Sequence, residues 1–176
     1  IDMELGIKVW DASGGKAQQL NPSRIDFEED LENWITSDPG LLQKGLTLVG
    51  RQVHTDAGII DLIGIDRNGG WVVIELKRGL VGQYVMAQAL AYIPCIGEMS
   101  FEELSKFHEA FVANYAPDRE ESLQELLEKR DPGWSDDGER VAKVIAVGVR
   151  RHASLDPIEK SPTAKKLGLK VVTFDV

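Results

Sequence analysis

Two runs of strand-forming residues, joined by the segment Arg67-Asn68-Gly69-Gly70, constrain the fold of this chain more than any other stretch. Asn-Gly is the strongest short signal for a β-hairpin, because its turn requires positive φ angles. The second run, residues 71–76, is almost wholly apolar, which is typical of a strand covered on both faces of a sheet. We therefore predict an antiparallel hairpin in the interior of a central sheet.

Three charged residues interrupt these apolar runs: Asp61 in the first, and Glu75 and Lys77 at the end of the second. Side chains alternate along a strand, so Glu75 and Lys77 emerge on the same face, and the hairpin brings Asp61 beside them. Buried carboxylates are usually paired or bound to a metal. A cation such as Mg²⁺ suits two carboxylates plus substrate phosphate, and a lysine can orient or deprotonate a water there. The alternative is a Glu75–Lys77 ion pair beside a solvated Asp61.

The spacing from Asp61 to Glu75-Leu76-Lys77 across a short hairpin resembles the PD-(D/E)xK nuclease superfamily, which has the restriction-endonuclease-like fold. The resemblance covers about residues 26–97, and Ile60 stands where the superfamily nominally has proline. A narrower similarity is to the archaeal and actinobacterial endonucleases specific for single strands and mismatches. It rests on three strings: Val49-Gly50-Arg51-Gln52-Val53, Gly58-Ile59-Ile60-Asp61 and Val73-Ile74-Glu75-Leu76-Lys77-Arg78.

The resemblance implies a metal-dependent DNA endonuclease with roles for individual residues. Asp61 and Glu75 would bind Mg²⁺ (or Mn²⁺), with the Leu76 carbonyl as a further ligand. Lys77 would position or activate the attacking water. The partner would be DNA in single-stranded, mismatched or branched form.

A first helix is predicted over about residues 26–37, and Glu28 lies only about 20° around it from Ile35, so that Glu28 leans toward the sheet. In the resembled superfamily, an acid in an E-x-x-L pattern of this helix helps to hold the metal or its water, and Glu28 matches that pattern. The alternative is an ordinary acidic first turn favoured by the helix dipole. The apolar stripe of this helix is predicted from four residues: Phe27, Leu31, Trp34 and Ile35.

A second helix is predicted over about residues 82–96, with Gln88 and Tyr92 one turn apart. Gln88-x-x-x-Tyr92 resembles the motif that follows E-x-K in a large branch of these nucleases, where the amide would orient Lys77. A polar seam on a packing helix is the alternative, and Pro94 is expected to kink or end the helix. Contacts to nucleic acid are predicted at Arg51, Arg78 and Tyr92, with simple surface exposure as the alternative at Arg51.

The net charge of −9 counts against DNA binding, because neutralising phosphates supplies much of the affinity of such proteins. The acids are concentrated between Glu98 and Glu139, whereas residues 77–99 contain one acid, so a basic rim can coexist with an acidic flank. Two alternatives to an endonuclease stay open. One is a nucleic-acid-binding module of the same fold that is catalytically silent or needs a missing partner domain. The other is an interaction protein whose acidic helices between Ser100 and Arg130 form a homodimer or a partner surface.

The size of the chain, 176 residues of which 43% are hydrophobic, indicates one globular domain. We expect neither a membrane span nor a secretory signal. The single cysteine, Cys95, excludes an internal disulfide and suits a reducing compartment, so we expect a cytoplasmic protein.

The predicted fold class is α/β, a restriction-endonuclease-like sandwich with a mixed central β-sheet flanked by helices. The first three core strands are expected to be antiparallel, and a fourth, over about residues 141–149, enters through a helical crossover. The predicted organisation is a hairpin extension over residues 1–22 and a nuclease-like domain over residues 23–176 with a helical insertion at about residues 98–140.

Overall fold

The computed structural model describes residues 10–11, 18–19, 27–77 and 79–174. Along these ranges the two longest helices stand between the third and fourth strands of the main sheet. The strands are β1 (Trp10–Asp11), β2 (Gln18–Gln19), β3 (Thr47–Thr55), β4 (Gly58–Ile65), β5 (Trp71–Leu76), β6 (Leu80–Val81), β7 (Ala142–Gly148), β8 (Arg150–Arg151) and β9 (Lys170–Thr173). The helices are α1 (Phe27–Ser37), α2 (Gln83–Glu98), α3 (Phe101–Tyr115), α4 (Leu123–Arg130), α5 (Asp156–Lys160) and α6 (Pro162–Lys166).

The main sheet has five strands in the order β3-β4-β5-β7-β9. The pairs β3–β4 and β4–β5 are antiparallel, whereas β5–β7 and β7–β9 are parallel. The parallel β5–β7 pair requires a crossover, and helices α2, α3 and α4 provide it. The predicted α/β class, with a mixed central sheet flanked by helices, is therefore confirmed.

The hairpin of β4 and β5 forms as the sequence predicts, with its turn held by an aspartate. The Asp66 N–H donates to the Gly70 carbonyl at 2.8 Å, and Oδ1 of Asp66 accepts from the N–H groups of Asn68 and Gly70 at 2.8 and 2.9 Å. Gly69 has a φ of +82°, which is the conformation that glycine adopts without a steric cost. This turn fixes a register in which Leu62 pairs with Ile74.

Helices cover both faces of the sheet, and α3 contributes to both cores. On one face, Ile63 and Val73 pack with Tyr92 of α2 and with residues of α3 and α4. On the other, Leu62 and Ile74 pack with α1. The residues of α1 in this core are Leu31 and Ile35, both fully buried, whereas Trp34 is 45% exposed. The predicted apolar stripe of α1 is therefore narrower than the sequence suggests, because Trp34 lies on its rim.

Several predicted boundaries need correction. Pro94 does not end α2, which continues to Glu98, because the turn that follows is still closed by a hydrogen bond from Met99 N–H to the Cys95 carbonyl. Helix α4 begins at Leu123 rather than at about residue 119, because Ser122 forms a capping box with Glu125 there. At the N-terminal extension β1 pairs with β2, and the rest of the predicted hairpin lies outside the described residues.

Within the described ranges, no helix is both long and apolar enough to cross a bilayer.

Candidate active site

The carboxyl ends of β5 and β7 lie at the same edge of the sheet, because these two strands are parallel. The first residues of β4 reach this edge from the opposite direction. Asp61 stands one position beyond the last registered pair, Leu62–Ile74, and the same register places it opposite Glu75. The carboxylate of Asp61 contacts the other strand directly, since Oδ2 accepts a hydrogen bond from the N–H of Leu76 at 2.7 Å.

Glu75, Leu76 and Lys77 differ in their exposure to solvent. Glu75 is 2% exposed, and its Oε2 atom is buried. Leu76 packs into the core on the α1 face, so Glu75 and Lys77 lie toward the opposite face, as the alternation of a strand requires. Lys77 is half-buried, and its backbone N–H donates to the Val147 carbonyl at 2.8 Å. The structure therefore brings the predicted residues Asp61, Glu75, Leu76 and Lys77 together at one sheet edge.

A third acid, Glu32 of α1, approaches this edge and was not identified from the sequence. Glu32 is 8% exposed. Its Oε1 accepts a hydrogen bond from Nε2 of Gln52 at 2.8 Å, and the same nitrogen lies 3.3 Å from Oδ1 of Asp61. Glu32 follows Leu31 directly and lies one turn beyond Glu28 on the same side of the helix. This spacing is the sequence signal for Glu32, whereas the E-x-x-L pattern is matched by Glu28 and not by Glu32.

Arg51 belongs to the same hydrogen-bond network as Glu32. Its Nε lies 3.2 Å from Oε1 of Glu32, its Nη2 donates to Oε2 of Glu32 at 3.3 Å, and its guanidinium lies 4.6 Å from the centroid of the Tyr115 ring. The side chain of Arg51 is 10% exposed. In this structure the charge of Arg51 faces a carboxylate and its plane is covered by a ring. The predicted contact of Arg51 with nucleic acid stays a prediction.

The two motif residues of α2, Gln88 and Tyr92, differ in their exposure to solvent. Tyr92 is 2% exposed and packs in the core. Tyr92 therefore contributes to the packing of this sheet face, and its predicted contact with nucleic acid stays a prediction. Gln88 is exposed and donates from Nε2 to the Tyr92 hydroxyl at 3.2 Å. The structure thus joins Gln88 to Tyr92, and the predicted interaction of Gln88 with Lys77 stays a prediction.

Two further predicted residues fall outside what the structure describes. Glu28 belongs to the first turn of α1, but its side chain is not among those described, and Arg78 lies between two described ranges. Their predicted roles, at the metal and at the nucleic acid, stay predictions.

The donor atoms at this edge fit a hard divalent cation. Asp61 and Glu75 supply carboxylate oxygens, and the neighbouring main chain supplies carbonyl oxygens, which are the ligand types that Mg²⁺ and Mn²⁺ prefer. Across the described ranges, no group of three or more histidine, cysteine or acidic side chains is arranged to hold a metal. A cation here would therefore complete its coordination with water and substrate oxygens, which is the usual mode for Mg²⁺.

Comparison with protein families gives one match of substantial length. Residues 27–124 match the model of the endonuclease NucS C-terminal domain. The chain is 33% identical over 121 residues to an endonuclease NucS of Methanopyrus kandleri, which covers 69% of this chain and 44% of that protein. It is 30% identical over 102 residues to an endonuclease NucS of Pyrococcus furiosus, covering 58% of this chain and 36% of that protein. The chain thus spans less than half the length of these curated relatives.

Two solved structures share the fold at low sequence identity. A repair endonuclease from Pyrococcus abyssi superposes with a TM-score of 0.50 and 17% identity, over 89% of this chain and 50% of that one. An EndoMS–dsDNA complex gives the same TM-score and identity, over 90% of this chain and 50% of the other. These likenesses support the fold assignment independently of the sequence matches.

Proposed function

The chain belongs to the endonuclease NucS C-terminal domain family, and on this premise we propose that it hydrolyses phosphodiester bonds of DNA as a metal-dependent endonuclease. One observation carries the proposal. The Asp61 carboxylate is held against the backbone of Leu76, which is the residue between Glu75 and Lys77. Two acids and an amine together at one sheet edge are the groups that cation-assisted attack on a phosphodiester requires.

In this proposal Asp61 and Glu75 hold Mg²⁺ or Mn²⁺, with the Leu76 carbonyl as a further ligand. The bound cation would stabilise the negative charge that develops on the phosphoryl oxygens. Asp61 is pre-oriented for this task, because the N–H of Leu76 fixes one of its oxygens. A carboxylate offers about four lone-pair sites, so it retains acceptor capacity after this hydrogen bond.

Lys77 would position the attacking water and offset charge at the phosphate. Its backbone is fixed by the hydrogen bond to Val147, so the ammonium extends from a rigid point one residue beyond β5. Because a lysine ammonium has three donors, it can contact the water and a phosphate oxygen together. Gln88 of α2 and the first-helix acids, Glu28 and Glu32, would support this arrangement from the two sides of the sheet.

The proposed substrate is DNA in single-stranded, mismatched or branched form, and the proposed setting is the cytoplasm. The EndoMS complex contains double-stranded DNA, and this supports DNA as the ligand class. Arg78 follows Lys77 directly in the sequence and is the basic residue we propose at the phosphate backbone. With a net charge of −9, the chain would bind DNA weakly on its own. We propose that cleavage is performed by a homodimer, because two linked binding sites on one DNA raise the overall affinity.

Cleavage of labelled single-stranded, mismatched and branched DNA in the presence of Mg²⁺ or Mn²⁺ tests the proposal. We expect nicking that EDTA abolishes. The variants Asp61→Ala and Lys77→Ala should each lose cleavage and retain the circular-dichroism spectrum of the original chain. Asp118→Asn, a change of one acid in the exposed loop between α3 and α4, is the matched control and should cleave normally.

Other outcomes identify the alternatives. DNA binding at low salt without nicking would indicate a catalytically silent module of the same fold. Absence of both binding and nicking, together with a dimer in light scattering, would indicate an interaction protein. Full activity in either Asp61→Ala or Lys77→Ala would contradict the assignment of the site.

A further inference from the structure

Gln52 has a backbone conformation that its residue type rarely adopts. Among the described residues it is the one non-glycine residue with a positive φ, +51°. It lies within β3, flanked by the registered pairs Arg51–Leu62 and Val53–Ile60, so that it faces Asp61 across the strands. A non-glycine residue in the left-handed region is strained and persists where its surroundings over-determine it.

Core packing does not explain this conformation, because Gln52 is exposed. Its hydrogen bonds do. Nε2 of Gln52 donates to Oε1 of Glu32 at 2.8 Å and lies within hydrogen-bond distance of Oδ1 of Asp61, at 3.3 Å. A carboxamide has two N–H donors on one nitrogen, so a single glutamine can serve two carboxylates at once.

The Glu32 end of this bridge is fixed. Arg51 holds both oxygens of Glu32, and the Tyr115 ring of α3 lies against the Arg51 guanidinium. The Asp61 end is fixed by the Leu76 N–H of β5. Gln52 therefore connects a rigid anchor on α1 to the carboxylate of β4 that faces the sheet edge.

We propose that Gln52 is a positioning residue that sets the orientation of Asp61 for the cation, a role that rests on the proposed function. Like charges repel, and a shared neutral donor lets the carboxylates of Glu32 and Asp61 lie close together without cancelling the charge that Asp61 brings to the cation. An arginine or lysine at this position would cancel that charge. An alanine would release Asp61 to other rotamers. In the strained conformation the amide reaches both oxygens, and these contacts offset the strain.

Calorimetric titration with Mn²⁺ alone tests the proposal, since it needs no DNA and no turnover. Three variants are compared with the original chain. Gln52→Ala removes the amide, and Gln52→Gly removes the amide while relieving the positive φ. Gln124→Ala is the matched control, because Gln124 makes a hydrogen bond of the same kind to Glu128 at 2.8 Å on the exposed face of α4.

Both Gln52 variants should bind Mn²⁺ about tenfold more weakly, the usual effect of losing a residue that orients a metal ligand. Gln52→Gly should unfold at the same temperature as the original chain or higher, so that weaker binding cannot be assigned to lost stability. Gln124→Ala should bind normally.

Unchanged affinity in Gln52→Ala, or normal affinity restored by Gln52→Gly, would overturn the role of the amide. If the original chain takes up no Mn²⁺, this inference and the cation in the proposed function both fail. If the chain binds Mn²⁺ and Gln52→Ala binds equally well, the positioning role alone fails.

Discussion

Asp61 accepts a hydrogen bond from the backbone N–H of Leu76 at 2.7 Å, across the two strands of the central hairpin. Leu76 stands between Glu75 and Lys77, so this contact ties the carboxylate of one strand to the middle of the charged segment of the other. Backbone groups move less than long side chains. The arrangement at the sheet edge is consequently built into the sheet before any cation or substrate binds.

Replacing Asp61 by asparagine should separate the chemistry of this residue from its structural contact. The amide oxygen of Asp61→Asn can still accept from the Leu76 N–H, so the melting temperature should change little. The negative charge is lost, and the affinity for Mn²⁺ and the cleavage rate should both fall to background. Thermal unfolding, calorimetry and a nicking assay measure the three quantities. A variant that binds Mn²⁺ normally would show that Asp61 is not a ligand.

Replacing Glu32 should destabilise the chain, because it leaves Arg51 largely buried without its carboxylate. The two side chains are 11% and 10% exposed. Loss of one partner from a buried pair costs about 3–5 kcal/mol, and we expect Glu32→Ala to reach about the lower end of that range in urea unfolding. Glu32→Gln should cost less because it keeps an acceptor. Glu102→Ala breaks the exposed ion pair with Lys106 and should have no measurable effect. Equal stability of Glu32→Ala and Glu102→Ala would contradict the network.

Gly148 sets the position of the segment that follows Lys77. A Cβ at Gly148 would meet the side chain of Val81 and lie 2.8 Å from the Gly79 carbonyl oxygen and 3.2 Å from that of Lys77. Gly148→Ala should therefore displace this segment, and a displacement of about 1 Å at a catalytic group can lower the rate about 100-fold. Gly79→Ala is the matched control, since open space surrounds that position. Single-turnover cleavage compares the two, and equal rates would contradict the expectation.

His108 should make the stability of the chain pH-dependent. Burial lowers the pKa of His108 below its ordinary value of 6.5, against a smaller opposing effect of its hydrogen bond to the Glu121 carbonyl. The folded state then binds fewer protons than the unfolded state in acid. The contribution of the neutral imidazole is therefore fully present above pH 6.5 and is lost as the pH falls below it.

Melting curves between pH 8 and pH 5 test this expectation. The melting temperature of the original chain should fall more steeply below pH 6.5 than that of His108→Gln, in which no proton is taken up. A domain of this size shifts by about 2–4 °C for each 1 kcal/mol, so the difference should be a few degrees. Parallel curves for the two proteins would show that His108 does not carry the effect.

The hairpin and its charged ends were predictable because their signals are local. A turn containing Asn68 and Gly69 fixes the register of β4 against β5, and register alone places Asp61 opposite Glu75. The parallel entry of β7 was also predictable, because the helices between it and β5 are long enough for a crossover. The burial of Arg51 and Tyr92 was not predictable, because residue type does not reveal whether a side chain faces solvent or a partner.

The sequence by itself determined the order of strands and helices, the hairpin register and the cluster of Asp61, Glu75 and Lys77, since each follows from periodicity and turn chemistry within a few residues. Only the tertiary structure decided that Glu32 and Gln52 approach Asp61. These residues come from α1 and β3, and Gln52 reaches its partners through a backbone angle that no sequence pattern specifies. Contacts between separate elements depend on how whole faces pack, so they are properties of the assembled fold.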